Sequence, residues 1–299
     1  MTEMNKQTVA AVVVTYNRLE LLKQCIQSLR NQTRKLDEII VVNNNSTDGT
    51  LEWLNSQNDL TVITQENSGS AGGQYTGIKT AYEKGYDWVW CFDDDCIPDP
   101  EVLKSLCTYL DNETVLNSLV VSSVNPDKLA FGLYEKQKKK YYYSLDDIGN
   151  FNIIESQNFF NGSIFPRSIL TEIGYPLIAL FIRGDEFEYY LRLLEKGFRV
   201  NTITNSIVYH PPEKKRILKN KLFYHEFSYL NSEKRYYHIR NLLYIVRHYK
   251  SLSYKYFIKN FILDLFFIIL LQGKLPILIN HFRGAFSGLT NNLRNLNTY

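Results

Sequence analysis

The first hundred residues alternate between short unbroken apolar runs and longer stretches of helical periodicity. Residues 9–15, Val-Ala-Ala-Val-Val-Val-Thr, are continuous and β-branched, the pattern of a parallel strand covered on both faces. Residues 19–32 then set Leu22, Ile26 and Leu29 on one helical face. The same alternation continues with a strand over 38–42, a short helix over 51–56, a strand over 60–63, a helix over 77–84 and a strand over 86–92. This βαβαβαβ order predicts an α/β fold with a mostly parallel central sheet and right-handed crossovers. Ligands in such sheets bind beyond the carboxyl ends of the strands. Three polar clusters fall there: Thr15-Tyr16-Asn17-Arg18, Asn43-Asn44-Asn45 and Asp93-Asp94-Asp95.

Beyond residue 100 the pattern is less regular. Residues 134–147, with Lys138-Lys139-Lys140 beside Tyr141-Tyr142-Tyr143, read as a solvated hairpin or loop. Residues 217–250 read as helical, rich in aromatics and cations, and 256–272 are the most apolar part of the chain. The unbroken run 265–271 is far too short to cross a bilayer, which takes about 20 apolar residues. A helix lying in a membrane interface and a buried core helix both fit it. Two regions are expected: a catalytic domain over 1–212 and a basic, aromatic helical extension over 213–299.

Composition changes this picture in two places. Hydrophobic residues make up 44% and charged residues 22%, as in an ordinary globular protein, while 22 Tyr and 17 Phe raise the aromatic share to 14%. The net charge of +3 conceals an asymmetry, because residues 211–299 carry fifteen Lys/Arg against four Asp/Glu. An acidic body with a basic tail predicts that the tail meets something anionic, such as a phosphorylated lipid, a membrane surface or nucleic acid. Cys25, Cys91, Cys96 and Cys107 show no metal-binding spacing and fit a reducing compartment. The polar residues 1–7 do not read as a secretory signal.

The chemistry concentrates at the strand ends. If the strand stays extended, Asp93 and Asp95 point to one side and Asp94 to the other. Two carboxylates so placed repel unless a cation lies between them, and hard oxygen donors suit Mg²⁺ or Mn²⁺, ions that also hold diphosphates. The Asn43–Asn45 amides could meet a nucleobase edge or shape a turn, with Ser46 or Asp48 capping the next helix. Residues 67–73, including Gly72 and Gly73, lack the P-loop and GxGxxG patterns and signal only a close backbone approach. Asp185 and Glu186 stand at the start of a helix; the dipole favours acids there, and one could act as a general base. His210 ends another strand, where its imidazole could serve a metal.

As an ordered set these residues resemble the family 2 glycosyltransferases of the GT-A fold. The segments that carry the resemblance are Val12-Val-Val-Thr-Tyr-Asn-Arg18, Val41-Val-Asn-Asn-Asn-Ser-Thr-Asp-Gly-Thr50, residues 67–73, 88–100, 161–167 and 184–197, and His210. The Gly-Gly stretch followed by Trp-x-Trp and three Asp is similar to the galactofuranosyltransferase branch, with rhamnosyltransferases close by. The resemblance implies inverting transfer from a nucleotide sugar, UDP-galactofuranose as the first choice and dTDP-rhamnose as the alternative. It implies Mn²⁺ or Mg²⁺ on Asp93, Asp95 and His210. It places Thr15, Tyr16, Asn17, Arg18, Asn44, Gly72, Gly73, Asp93 and Asp94 against the donor, although the family often has Asp at the Asn44 position. Glu186, with Asp185 beside it, aligns with the base position. Residues 235–241 resemble a helix that could meet the acceptor or a lipid diphosphate. The implied acceptor is a saccharide or lipid-linked glycan for capsule, O-antigen or another surface polysaccharide. The expected location is the cytoplasm or the inner face of the membrane, with peripheral membrane contact through the tail and no nucleic-acid partner. A sugar-nucleotide pyrophosphorylase would need a Gly-rich, cation-bearing loop after the first strand, which Thr15-Tyr-Asn-Arg does not supply. A non-catalytic carbohydrate- or membrane-binding scaffold would leave the acidic cluster without a purpose.

Overall fold

The structure is a computed structural model that describes residues 7–135, 137–156, 158–219 and 224–293, with backbone only at 217–219 and 224. The chain divides into two compact units, Met1–Pro176 with Tyr189–Pro212, and Leu177–Glu188 with Glu213–Tyr299.

The first unit begins β1 (Val9–Thr15), α1 (Leu19–Arg30), β2 (Glu38–Asn43), α2 (Thr50–Asn55), β3 (Thr61–Thr64), α3 (Gly69–Glu83) and β4 (Trp88–Asp93). It continues through β5 (Ile97–Pro98), α4 (Val102–Cys107), β6 (Thr114–Ser122), β7 (Lys128–Glu135), β8 (Lys140–Ser144), α5 (Leu145–Ile148), β9 (Ile153–Ile154), β10 (Asn161–Pro166) and α6 (Arg167–Ile173). Helix α7 (Asp185–Glu195) spans the unit boundary, and β11 (Arg199–His210) completes the sheet. The sheet order is β3-β2-β1-β4-β10-β6-β11-β5, with β7 beside β6, β8 beside β7 and β9 beside β11. The sheet is mixed. Strands β3, β2, β1 and β4 are mutually parallel, β10 runs antiparallel to β4 and β6, and β11 is parallel to β6.

The unbroken apolar run of β1 follows from this position. Val9, Ala11 and Val13 pack with Leu22, Ile26 and Leu29 of α1 on one face, while Ala10 and Val12 pack with Ile78 and Ala81 of α3 on the other. The register sets the strand ends level, with Thr15 opposite Asn43 and Val14 opposite Asp93.

Helix α3 corrects one expectation. It begins at Gly69, so residues 69–73 are helical rather than loop, and the close approach made by its glycines is to β1. A Cβ on Gly73 would lie 2.3 Å from Val14 Cγ1, and one on Gly77 would lie 2.2 Å from Val12 Cγ1. Glycine's poor helix propensity yields here to tertiary packing. Gly77→Ala is expected to destabilise the first unit by about 1–3 kcal/mol through overpacking, read as a lower urea midpoint. An unchanged midpoint would show that β1 yields without strain.

The second unit holds the 177–188 segment, with a 3₁₀ turn at Ile178–Leu180, and a hairpin of β12 (Lys215–Lys219) and β13 (Tyr224–Ser228). It continues through α8 (Ser232–His248), α9 (Tyr254–Phe267), a π turn at Ile268–Gln272 and α10 (Leu275–Leu289). The continuous helix expected over 217–250 is therefore corrected: its first part pairs as strands, and only Ser232 onward is helical, capped by the Asn231 side chain on the Lys234 amide. The aromatic content that suggested one helix serves a strand pair equally well. Of the cations counted in the basic tail, Lys221 and Arg294 lie outside the described residues.

A buried polar cluster ties these elements together. Asp264 lies 2.7 Å from Arg235 Nη1, 3.2 Å from His225 Nε2 and 3.6 Å from His238 Nε2. Burial alone would raise the Asp264 carboxyl, but the two histidines and Arg235 hold it far below the carboxylate range. Burial, and then the Arg235 charge, lower His281 from 6.5 to about 4. Both groups have a folded pKa below the unfolded one. Their stabilisation is complete above the unfolded pKa and is lost as pH falls through the folded one. The His281 window thus runs from about 6.5 to about 4, and the Asp264 loss begins below roughly 4. Acidification is expected to weaken this unit in two stages, and His281→Phe should remove the first. Melting temperatures of both proteins across pH 7 to roughly 3 give the check, and identical curves would refute it.

Candidate active site

In the first unit, four strand ends bring the predicted polar residues together. Thr15 ends β1, Asn43 ends β2, Asp93 ends β4 and His210 ends β11. The strand stops at Asp93, and Asp94 and Asp95 lie in the turn that follows. The strict alternation expected of an extended Asp93-Asp94-Asp95 is thereby corrected, because the turn carries Asp94 and Asp95 to one guanidinium. Arg18 Nη1 donates to Asp94 Oδ1 at 3.1 Å and to Asp95 Oδ2 at 2.7 Å. The Thr15 hydroxyl donates to Asp94 Oδ2 at 2.8 Å. Asp94, which sequence left without a role, therefore joins the ends of β1 and β4. Burial pushes its carboxyl up to about 6, with Arg18 opposing the shift and Asp95 adding to it.

Asp95 meets His210, with Nε2 lying 2.9 Å from Oδ1. Burial would raise the Asp95 carboxyl, but His210 and then Arg18 outweigh it and hold it below the usual range. Burial would lower His210, and Asp95 reverses the direction. The other ring nitrogen, Nδ1, lies 2.6 Å from the Pro211 carbonyl oxygen. A proton on Nδ1 held by that carbonyl leaves Nε2, the nitrogen that faces Asp95, as the one that could bind an ion.

The donor set fits a divalent cation. Atoms of Asp95, Cys96 and His210 lie within 4.8 Å of one another. Burial pushes the Cys96 thiol well up, and its Sγ lies 3.4 Å from Asn161 Oδ1, so Cys96 is a packed thiol rather than a ligand. Of that group, the imidazole of His210 and the carboxylate of Asp95 are the donors that could hold a divalent ion.

The loops around these ends are cross-tied. Asn17, at φ +54°, donates through its amide nitrogen to Ser46 Oγ at 2.9 Å and accepts from the Thr47 amide at 2.7 Å. Asp48 accepts from the amides of Leu19 and Thr50, serving the starts of α1 and α2 together. Asn44 is buried, donates to the Gly69 carbonyl at 3.0 Å and accepts from Gln65 Nε2 at 2.9 Å. Both edges of its amide are thus engaged within the protein. Tyr16 is 47% exposed and makes no such tie among the described residues. Gln74 was not singled out from sequence; it donates to the Phe92 carbonyl at 3.0 Å and anchors α3 to the end of β4.

Asp185 and Glu186 open α7 and belong, by contact, to the second unit. Asp185 is buried, whereas Glu186 is partly exposed and the more accessible of the two. The segment before them is strained, with positive φ at Phe181, Arg183 and Gly184. Asn241 holds it by donating through Nδ2 to the carbonyls of Leu180, Ile182 and Arg183 at 2.8, 3.1 and 2.7 Å. Arg240 Nη2 adds bonds to the carbonyls of Ala179 and Leu180. The expectation that residues 235–241 meet an acceptor or a lipid diphosphate is therefore corrected for Arg235, Arg240 and Asn241, which are buried and spent on Asp264, backbone carbonyls and each other. Sequence showed polar residues in a helix but not which way they faced. Asn241→Ala is expected to cost about 1–3 kcal/mol in stability by orphaning buried carbonyls, measured by chemical denaturation. A change below about 0.5 kcal/mol would mean that water replaces the amide.

The chain matches the family model described as Glycosyl transferase family 2 over residues 10–173. Galactofuranosyltransferase GlfT1 of Mycolicibacterium smegmatis is 31% identical over 215 residues, 69% of this chain and 71% of the relative. The dTDP-rhamnosyl transferase RfbF of Shigella flexneri is 26% identical over 253 residues, 79% of each. Among solved structures, the mannosyltransferase PcManGT from Pyrobaculum calidifontis, in complex with GDP-Man and Mn²⁺, superposes with a TM-score of 0.56 at 16% identity, over 95% of this chain and 87% of that one. That likeness establishes the GT-A-like fold. The chain belongs to glycosyltransferase family 2 and is an enzyme of that family.

Proposed function

We propose that this enzyme is an inverting, divalent-cation-dependent transferase that moves a hexosyl group, galactofuranose from UDP-galactofuranose as the first choice, to a hydroxyl of a saccharide or lipid-linked glycan. The observation that carries this reading is the convergence of Thr15, Arg18, Asp94, Asp95 and His210 beyond the sheet's carboxyl ends. The names of the relatives favour furanosyl or deoxyhexosyl donors, with dTDP-rhamnose second.

In this mechanism Asp93, Asp95 and His210 would hold the cation, Mn²⁺ or Mg²⁺. When bound, it would offset the negative charge that gathers on the departing diphosphate. Tyr16, the exposed aromatic of the β1 loop, stacks on the nucleoside. Asn17 and Asn44 shape the loops around it, and Arg18 keeps Asp94 and Asp95 in place. The carboxylate of Glu186 takes the proton of the acceptor hydroxyl as its oxygen attacks the anomeric carbon. The bond from that carbon to the phosphate oxygen breaks, and the nucleoside diphosphate leaves with its electron pair. Asp185, which is buried, is the second carboxylate of the pair. The product belongs to surface polysaccharide synthesis, with capsule and O-antigen as the settings.

The test is a panel of UDP-galactofuranose, dTDP-rhamnose, UDP-galactose and UDP-glucose with Mn²⁺, followed by release of nucleoside diphosphate. Mn²⁺-dependent release from UDP-galactofuranose above the others is the expected result. Preference for dTDP-rhamnose would replace the sugar and keep the mechanism. Release unaffected by a chelator would overturn the cation's role.

A further inference from the structure

We propose that the outer faces of α9 and α10 form a surface that lies in the interface of an anionic lipid bilayer. Among the described residues, twelve of the eighteen exposed large apolar side chains fall between 254 and 289. They are ordered rather than scattered. On α9, Tyr254, Ile258, Ile262 and Phe266 recur every fourth residue, and on α10 Ile279, Phe282 and Phe286 follow steps of three and four. Each helix has a separate face turned inward, through Phe257, Asp264 and Phe267 on α9 and Ile277, His281 and Gly284 on α10. Each helix thus keeps an outer apolar stripe that packing in the unit does not cover. Exposed apolar stripes of this kind are uncommon on a soluble monomer and mark a contact.

The charge pattern selects the partner. Lys255, Lys274 and Arg283 are exposed within the same stretch, and the sole acid between residues 250 and 293 is Asp264, which is buried against Arg235. Two copies apposed through this face would bring these cations together, and the stretch itself offers no exposed acid to meet them. An anionic headgroup layer supplies the missing charge, while the apolar stripes enter the acyl boundary and the lysine stems reach outward. No helix among the described residues is long and apolar enough to cross a membrane, so the contact is in-plane. The reading is independent of the donor and of the transfer reaction.

The test is flotation of the full chain with vesicles of phosphatidylcholine alone and with roughly one third phosphatidylglycerol, at low and high salt. The chain is expected to float with the anionic vesicles. Affinity should fall roughly fivefold for each cation removed in Lys255→Gln or Lys274→Gln, and should fall as salt screens the headgroups. A triple variant, Ile262→Glu with Phe266→Glu and Phe286→Glu, should lose at least about tenfold in binding while nucleoside diphosphate release from the donor is kept. Because that variant could misfold, Phe286→Trp provides a second readout: brominated acyl chains in anionic vesicles should quench the fluorescence of the added indole. Failure to float with either vesicle would overturn the proposal, as would the same emission from the Phe286→Trp protein with and without brominated lipid. Vesicle binding that survives the triple variant would also overturn it. A concentration-dependent dimer abolished by the same variant would assign the face to a second copy instead.

Discussion

Asp95→Ala should abolish transfer while leaving the fold intact. Asp95 meets both Arg18 and His210, at 2.7 and 2.9 Å. On the proposed mechanism its loss would remove a cation ligand, and it also releases the imidazole that Asp95 meets. Removing one preorganised charge of this kind costs about 4 kcal/mol of transition-state stabilisation, roughly a thousandfold in kcat. Asp95→Asn keeps the volume and one acceptor oxygen and should recover little, because it supplies no negative charge. The measurement is nucleoside diphosphate release at saturating Mn²⁺, beside isothermal titration of Mn²⁺ into each protein. If Asp95→Ala turns over at the wild-type rate, or binds Mn²⁺ as tightly, the assignment of this cluster fails. Thermal melts separate that outcome from unfolding, since Asp94 still tethers Arg18 and Thr15 when Asp95 is gone.

The second large effect is expected at Glu186. Glu186→Gln should lower kcat by about 10² to 10⁴, the usual contribution of a positioned base, with little change in donor KM. Asp185→Asn tests the alternative in the same assay. Asp185 is buried and Glu186 is not, so the neutral amide at 185 should act mainly through the local fold and at 186 mainly through the proton. Thermal melts distinguish them, because loss of the base should leave the melting temperature near that of the wild type, whereas the amide at 185 should lower it. Equal transfer by wild type and Glu186→Gln would remove Glu186 from the mechanism. If the Asp185 variant alone lost rate without losing thermal stability, the proton would be reassigned to its neighbour.

The elements most easily read from sequence were those whose environment is uniform. β1 is covered on both faces, so its apolar run is unbroken and its ends are visible. The level strand ends then follow, and with them the company of Thr15, Asn43 and Asp93. The start of α3 was hidden because glycine disfavours helix locally, and the compensation is packing on Val12 and Val14, residues distant in sequence. The hairpin at 215–228 was hidden because alternation is weak where both aromatics and cations can pack by their stems. Asn241 was hidden because an amide inside a helix carries no sign of which carbonyls it will reach.

Sequence alone determined the α/β class, the acidic cluster after the fourth strand, the pairing of that cluster with His210 as candidates and the basic character of the C-terminal region. Each is local in the chain, written in periodicity, residue type or charge count. Tertiary structure alone decided that Asp94 and Asp95 turn toward Arg18, that Asn44 spends its amide on the α3 start and that Arg235 and Asp264 bury each other's charge. It also decided which side of α9 and α10 stays uncovered. These are choices among partners far apart in sequence. They are made by desolvation and shape once the elements pack, and no local pattern of residues encodes them.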